Sequence, residues 1–261
     1  NVTTGDVDES NEGNNFLEKT FTWAGADLVI TDIVLDPDPA NAGDGTLTAT
    51  IKNNGTATAG GFTTVINITM YLDGEECATG DIFGGMDPGD EATEKTGSCN
   101  PDTPGEHTSR FEVDTEGDVP ETDEGNNSFE KKFTWSGPDL VVQDITLDPA
   151  APTAGGELKA TATILNQGPF STGTFVNINI RMELDGQECD TGLVIAGLGA
   201  GKTATEETTK CKPDKDGAHS LAFIVDTDED VAETDETNNT KVITFTVGGG
   251  TTSSELCNGK D

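Results

Sequence analysis

Three stretches of this sequence gather acids and asparagines at one repeated spacing. Asp6, Glu9, Glu12 and Asn15 are answered by Asp118, Glu121, Glu124 and Asn127, and again by Asp230, Glu233, Glu236 and Asn239. Asp123 and Asp235 correspond to Asn11, which keeps a side-chain oxygen, and the two later copies add Asp114 and Asp226. Carboxylates placed this closely repel one another unless a cation or water takes up the charge. Hard oxygen donors from carboxylates and amides suit calcium, which accepts about six to eight of them flexibly. The spacing departs from an EF-hand loop: Val231 stands where that loop needs glycine, and Thr237 where it needs a bidentate glutamate. The expectation is an irregular loop site of extracellular affinity, on the order of 0.1–1 mM. Its ligands would come from Asp6, Glu9, Glu12 and Asn15; from Asp114, Asp118, Glu121, Asp123 and Asn127; and from Asp226, Asp230, Glu233, Asp235 and Asn239. The competing reading is a solvated acidic hairpin whose asparagines accept left-handed turn geometry. Asp27 and Asp139 follow each linker closely enough to complete a site at a module junction.

Other chemistry is thinly represented. His107 and His219, the only histidines, recur in step ahead of a strand, which suits a strand-edge role better than catalysis. No serine or cysteine has a base partner at a recognisable spacing, and neither a phosphate loop nor a two-histidine metal motif is present. The sequence therefore reads as non-catalytic. Of five cysteines, Cys77 and Cys99 form one pair and Cys189 and Cys211 a second, with Cys257 left over. Each pair, once oxidised, would stabilise its module by roughly 3 kcal/mol and implies an oxidising, extracytoplasmic setting. Asn-Xaa-Ser/Thr triplets at Asn1, Asn54, Asn67, Asn126 and Asn238 permit glycans, and the last two overlap the acidic loops.

These groups must be positioned by something copied in tandem, because they recur at an interval of 112 residues. The interval divides the chain into the closing portion of one repeat (1–25), two repeats (26–137 and 138–250) and a tail (251–261). The formal charge of −35, from 49 acids against 14 bases, repels nucleic acid and anionic membrane surfaces. No stretch is apolar for long enough to insert directly into a membrane. Within each repeat, alternation marks strands. Ile66, Ile68, Met70 and Leu72 run into Asp73-Gly74, and Ile178, Ile180, Met182 and Leu184 into Asp185-Gly186, a half-buried strand entering a tight turn. Leu47, Ala49 and Ile51 have their counterparts one residue late, at Ala160, Ala162 and Ile164, so a surface turn must absorb an extra residue that is lost again before Ile178. About seven strands per repeat, divided by Gly, Pro, Asn and Asp, predict tandem all-β antiparallel sandwiches of immunoglobulin type. Trp23, Trp135 and Val247 continue the inward alternation of Phe21, Phe133 and Phe245 and are expected in the core.

The series Asp139-Leu140-Val141-Val142, Leu147-Asp148-Pro149, Ile164-Leu165-Asn166-Gln167-Gly168 and Asp235-Glu236-Thr237-Asn238-Asn239 resembles the CARDB family, as does its first copy from Asp27-Leu28-Val29 through Asn53-Asn54-Gly55 to Glu124-Gly125-Asn126-Asn127. That resemblance covers nearly everything before residue 251 and implies immunoglobulin-like modules of bacterial and archaeal surface proteins associated with cell adhesion. The cysteine pairs lie outside the family pattern. The leading expectation is a non-catalytic extracellular structural or adhesive protein, a subunit of a surface filament or stalk. It would self-associate through its N-terminal strand and its C-terminal segment, where Cys257 could bond across subunits. The alternative is a carbohydrate- or protein-binding accessory module of a larger surface or secreted protein.

Overall fold

A computed structural model describes residues 16–21 and 23–248. Asp6, Glu9, Glu12, Asn15 and Cys257 lie outside the described residues. The first module comprises β1 (Leu28–Asp36), β2 (Ala40–Asn41), β3 (Thr46–Asn53), β4 (Ile66–Leu72), β5 (Glu75–Ile82), β6 (Glu91–Thr96), β7 (Gly105–Val113) and β8 (Ser128–Ser136). The second comprises β9 (Leu140–Asp148), β10 (Lys159–Asn166), β11 (Ile178–Leu184), β12 (Gln187–Val194), β13 (Thr203–Thr208), β14 (Gly217–Val225) and β15 (Thr240–Val247). In each module a three-stranded sheet, β1-β3-β6 or β13-β10-β9, faces a larger one, β2-β8-β7-β4-β5 or β12-β11-β14-β15. Apart from the short parallel pairing of β2 with β8, the ladders are antiparallel. These are two tandem all-β sandwiches.

Period-two alternation supplies the core. Ile68 opposes Val113 and Met70 opposes Phe111, while Ile180 opposes Val225 and Met182 opposes Phe223, all of them buried. The one-residue slip sits in turns, as expected. The connection 149–158 is one residue longer than 37–45, and 167–177 is one shorter than 54–65, so the inward face of β10 is kept. Trp135 is fully buried and its indole N–H donates to the Asp44 carbonyl (3.0 Å); Val247 is likewise buried. Trp23 departs from expectation. It is 79% exposed and packs edge-to-face on Phe21, because the segment around it pairs with no sheet among the described residues.

Two devices hold each sandwich shut. Cys77 on β5 bonds Cys99 just past β6, and Cys189 on β12 bonds Cys211 past β13, so each disulfide ties the two sheets together at the open edge of the sandwich. At the other end stands a fully buried asparagine. Asn166 donates from Nδ2 to the carbonyls of Phe170 (2.8 Å) and Leu198 (2.9 Å), and its Oδ1 accepts from the amides of Asp139 (3.1 Å) and Gly168 (3.0 Å). Asn53 makes the same four bonds, to Ala57, Met86, Asp27 and Gly55. Each asparagine thereby clamps three separate segments: the entry to β1 or β9, the loop after β3 or β10, and the loop after β5 or β12. The glycine two residues on is obligatory, since a Cβ at Gly168 would lie 2.5 Å from the Gly137 carbonyl.

Candidate metal centre

The acidic loops, 114–127 and 226–239, join the last two strands of each module at the end where β1 and β9 begin. Asp114 and Asp226 open them in the left-handed region, with φ of 52° and 54°, a conformation that aspartate tolerates better than most residues. Asp226 Oδ2 accepts from the Val231 amide (3.1 Å), and both carboxyl oxygens of Asp114 accept from Val119 (3.1 and 3.3 Å). The loop is also fastened to the entering strand. Glu121 and Glu233 accept from the amides of Leu28 and Leu140. The Thr234 amide donates to the Pro138 carbonyl (2.9 Å), and Asn126 and Asn238 donate to Asp27 and Asp139 (both 2.8 Å).

Three carboxylates converge inside each loop: Asp114 with Glu121 and Glu124, and Asp226 with Glu233 and Glu236, their nearest oxygens within 4.8 Å of one another. Asn127 and Asn239 join them by donating to Glu121 (2.8 Å) and Glu233 (2.7 Å). The remaining expected ligands are arranged differently. Asp118 and Asp230 are exposed on the loop. Asp123 and Asp235 turn back to accept from the amides of Gly125 and Thr237 (both 2.9 Å) and so shape the turn. The glutamates beside them, Glu124 and Glu236, face the cluster instead. The sequence held a signal for this: the glutamate recurs unchanged in all three copies, whereas the neighbouring aspartate is Asn11 in the first.

Burial is the first cause of the electrostatics here. It raises the carboxyls of Asp114, Glu121 and Asp226 above their ordinary values and pushes Glu233 up to about 7, and the neighbouring acids add to the effect. The second module also leaves oxygen lone pairs unused. Asp226 Oδ1 and Asn239 Oδ1 have no hydrogen-bond partner, on side chains that are 4% and 9% exposed. Buried acceptors left without donors are costly unless a cation or water meets them. The donor set of Asp226, Glu233, Glu236 and Asn239 is oxygen only, which fits a hard divalent cation and not a thiophilic one.

The histidines belong to a different structure. His107 and His219 each place Nδ1 2.7 Å from a carboxylate oxygen, of Asp73 and Asp185, and Nε2 3.0 Å from a carbonyl, of Thr103 and Lys215. Both ring nitrogens face acceptors, and each histidine pins the tight turn after β4 or β11. Asp185 holds the His219 pKa above its ordinary 6.5, with the Lys215 carbonyl adding to it. Stability from this raised pKa is fully present below pH 6.5 and is lost as pH rises through the folded value. Asp185 itself is lowered, first by the Ser220 amide and then by His219, so its own contribution is lost only as pH falls below 3.8. The urea midpoint of the second module is therefore expected to fall more steeply between pH 7 and 9 in the wild type than in His219→Gln, where only the end of the Glu233 titration remains. Equal slopes in the two proteins would remove the clamp.

The fold and its loops define a class: tandem immunoglobulin-like sandwiches that carry a partly buried carboxylate cluster between their last two strands. The chain belongs to the CARDB family, whose model matches twice in tandem, over residues 25–131 and 137–243. Among solved structures it is similar to the CARDB domain of a Pyrococcus furiosus protein in complex with di-metal ions, at 19% identity over 45% of this chain and 94% of that one, with a TM-score of 0.37. It is similar also to a domain described as part of a cell-surface protein from Methanosarcina acetivorans, at 26% identity over 42% and 91%, TM-score 0.37. A red sea bream transglutaminase matches at 13% identity over 87% and 32%, TM-score 0.36. A comparison with curated proteins finds no match.

Proposed function

We propose that this chain is a non-catalytic, extracellular structural and adhesive protein, a length of a surface stalk or filament whose modules are stiffened by disulfides and by calcium. The observation that carries the reading is the fastening at the head of each module. There the acidic loop, the buried asparagine and the incoming strand form one hydrogen-bonded unit, and the carboxylate cluster sits inside it. An ion at that point stiffens the junction between modules, which suits a load-bearing or spacing role. Two sheet-spanning disulfides support an oxidising location. Among the described residues no helix is long and apolar enough to cross a membrane. Both histidines are committed to turns, which supports a non-catalytic role.

Self-association through the N-terminal segment draws on Leu17, Phe21 and Trp23, exposed at 90%, 69% and 79%, which repeat the inward positions of Phe129, Phe133 and Trp135. A strand with an uncovered apolar face seeks a sheet edge. Electron microscopy of native material in calcium is expected to show linear assemblies; isolated monomers would end the filament reading. An accessory binding role is favoured by one observation: Phe62 and Phe83, and Phe175 and Ile195, stand exposed on corresponding loops of the two modules. Glycan-array binding that survives calcium removal and is lost on changing Phe62 and Phe175 to serine would favour it.

A further inference from the structure

We propose that the side-chain amide of Asn54 is the acceptor of an N-linked glycan, and that the two Asn-Xaa-Ser/Thr triplets in the acidic loops are closed to modification. Of the five triplets, Asn1 lies outside the described residues. Asn126 and Asn238 are committed: each donates from Nδ2, the atom that would carry the sugar, to Asp27 or Asp139 at 2.8 Å, and each Oδ1 is buried without a partner. A glycan on either would break the link between acidic loop and incoming strand. Asn67 is half-buried on β4, and its Oδ1 accepts from the Thr115 hydroxyl (3.1 Å) and the Glu116 amide (3.2 Å).

Asn54 differs in every respect. It follows the last residue of β3, in the loop 54–65, with an exposed side chain, and Thr56 two residues on is exposed as well. The backbone is held while the side chain is free of the core: the Asn54 amide donates to the Asp27 carbonyl (2.6 Å) and the Thr56 amide to the Gly25 carbonyl (2.8 Å). A surface loop presenting a fixed Asn-Gly-Thr triplet is what such a modification requires. The second module has Gln167 at the corresponding place and no triplet, so the two modules would be marked differently. In the transfer, Asn54 Nδ2 loses a proton and bonds the anomeric carbon of a phosphate-activated glycan donor. The phosphorylated carrier leaves with the electron pair of the broken C–O bond.

The proposal rests on the extracytoplasmic reading, and one digest separates the two. Trypsin, without reduction, places Asn54 and Cys77 on the peptide 53–95, Cys99 on 96–110, Asn126 on 111–131 and Asn238 on 216–241. For protein purified from the cells that make it, mass spectrometry is expected to find 53–95 disulfide-linked to 96–110 and heavier by a glycan. Electron-transfer fragmentation should place that mass on Asn54, with 111–131 and 216–241 unmodified. A linked peptide with bare Asn54, or a glycan on Asn126 or Asn238, overturns the proposal while leaving the location intact; free thiols at Cys77 and Cys99 overturn both. In the same cells Asn54→Gln should remove the glycan mass from the linked peptide and leave the melting temperature of the unglycosylated protein unchanged, as Gln167 indicates. Thr56→Ser should keep the glycan. A glycan mass that persists on the linked peptide of Asn54→Gln also overturns the assignment.

Discussion

Asn166→Asp is expected to unfold the second module at denaturant concentrations that leave the first intact. The substitution replaces two N–H donors by an oxygen, so the carbonyls of Phe170 and Leu198 lose their partners at a fully buried site and meet a like dipole or charge instead. Each unsatisfied buried group costs about 1–3 kcal/mol, and a buried carboxylate adds to that unless it takes up a proton. A total of roughly 4 kcal/mol or more follows, a large part of a domain's usual stability. Asn53→Asp should do the same to the first module. The two are separable because the buried Trp135 belongs to the first module and the second holds no tryptophan. Asn53→Asp therefore shifts the urea transition seen by tryptophan fluorescence, while Asn166→Asp shifts only the later part of the circular-dichroism signal. A loss below about 1 kcal/mol in both variants would show that these amides are not fully bonded.

That asparagine also marks where reading the sequence stopped short. Strands were legible because burial on one face of a sheet imposes alternation, and Ile66, Ile68 and Met70 display it without ambiguity. The slip between β3 and β10 was legible for the same reason. Asn53 and Asn166 stood only as members of a motif, since two of the four partners of each come from segments 26 to 33 residues away in the chain. In the acidic loop the spacing of residues located the charge but not its direction. Asp235 and Glu236 are neighbours, yet the first spends an oxygen on the Thr237 amide and only the second reaches Asp226 and Glu233. Side-chain direction in an irregular turn follows from backbone dihedrals such as the left-handed Asp226, which periodicity does not encode. Trp23 failed as a core residue because alternation tells which face of a strand is apolar, not whether a sheet is there to receive it.

Calcium is expected to stabilise both modules, and by more at alkaline pH than at acid pH. With an affinity on the order of 0.1–1 mM, 10 mM calcium stabilises a module by about 1.4–2.7 kcal/mol through mass action, a rise in melting temperature on the order of 5–10 °C. The pH dependence follows from Glu233. Its folded pKa of about 7 lies above the ordinary 4.5, so the unfolded chain releases this proton first. Without metal, the second module therefore loses stability as pH rises from about 4.5 to 7, and above that the full penalty of a buried carboxylate is in place. Allowing for solvent screening, that penalty is about 1–2 kcal/mol. A cation reverses the balance because it needs the ionised carboxylate: binding at pH 8 meets the charge that burial made unfavourable, whereas binding at pH 5.5 must first displace a proton. Melting curves at pH 5.5 and 8, with calcium and with chelator, should show the larger gain at pH 8. Glu233→Gln should reduce the chelator-state slope to the part that His219 contributes and abolish most of the gain in the second module, while leaving the tryptophan-reported transition of the first responsive. Identical curves with and without chelator at pH 8 would leave the cluster as a solvated acidic turn and remove the ion from the head of each module.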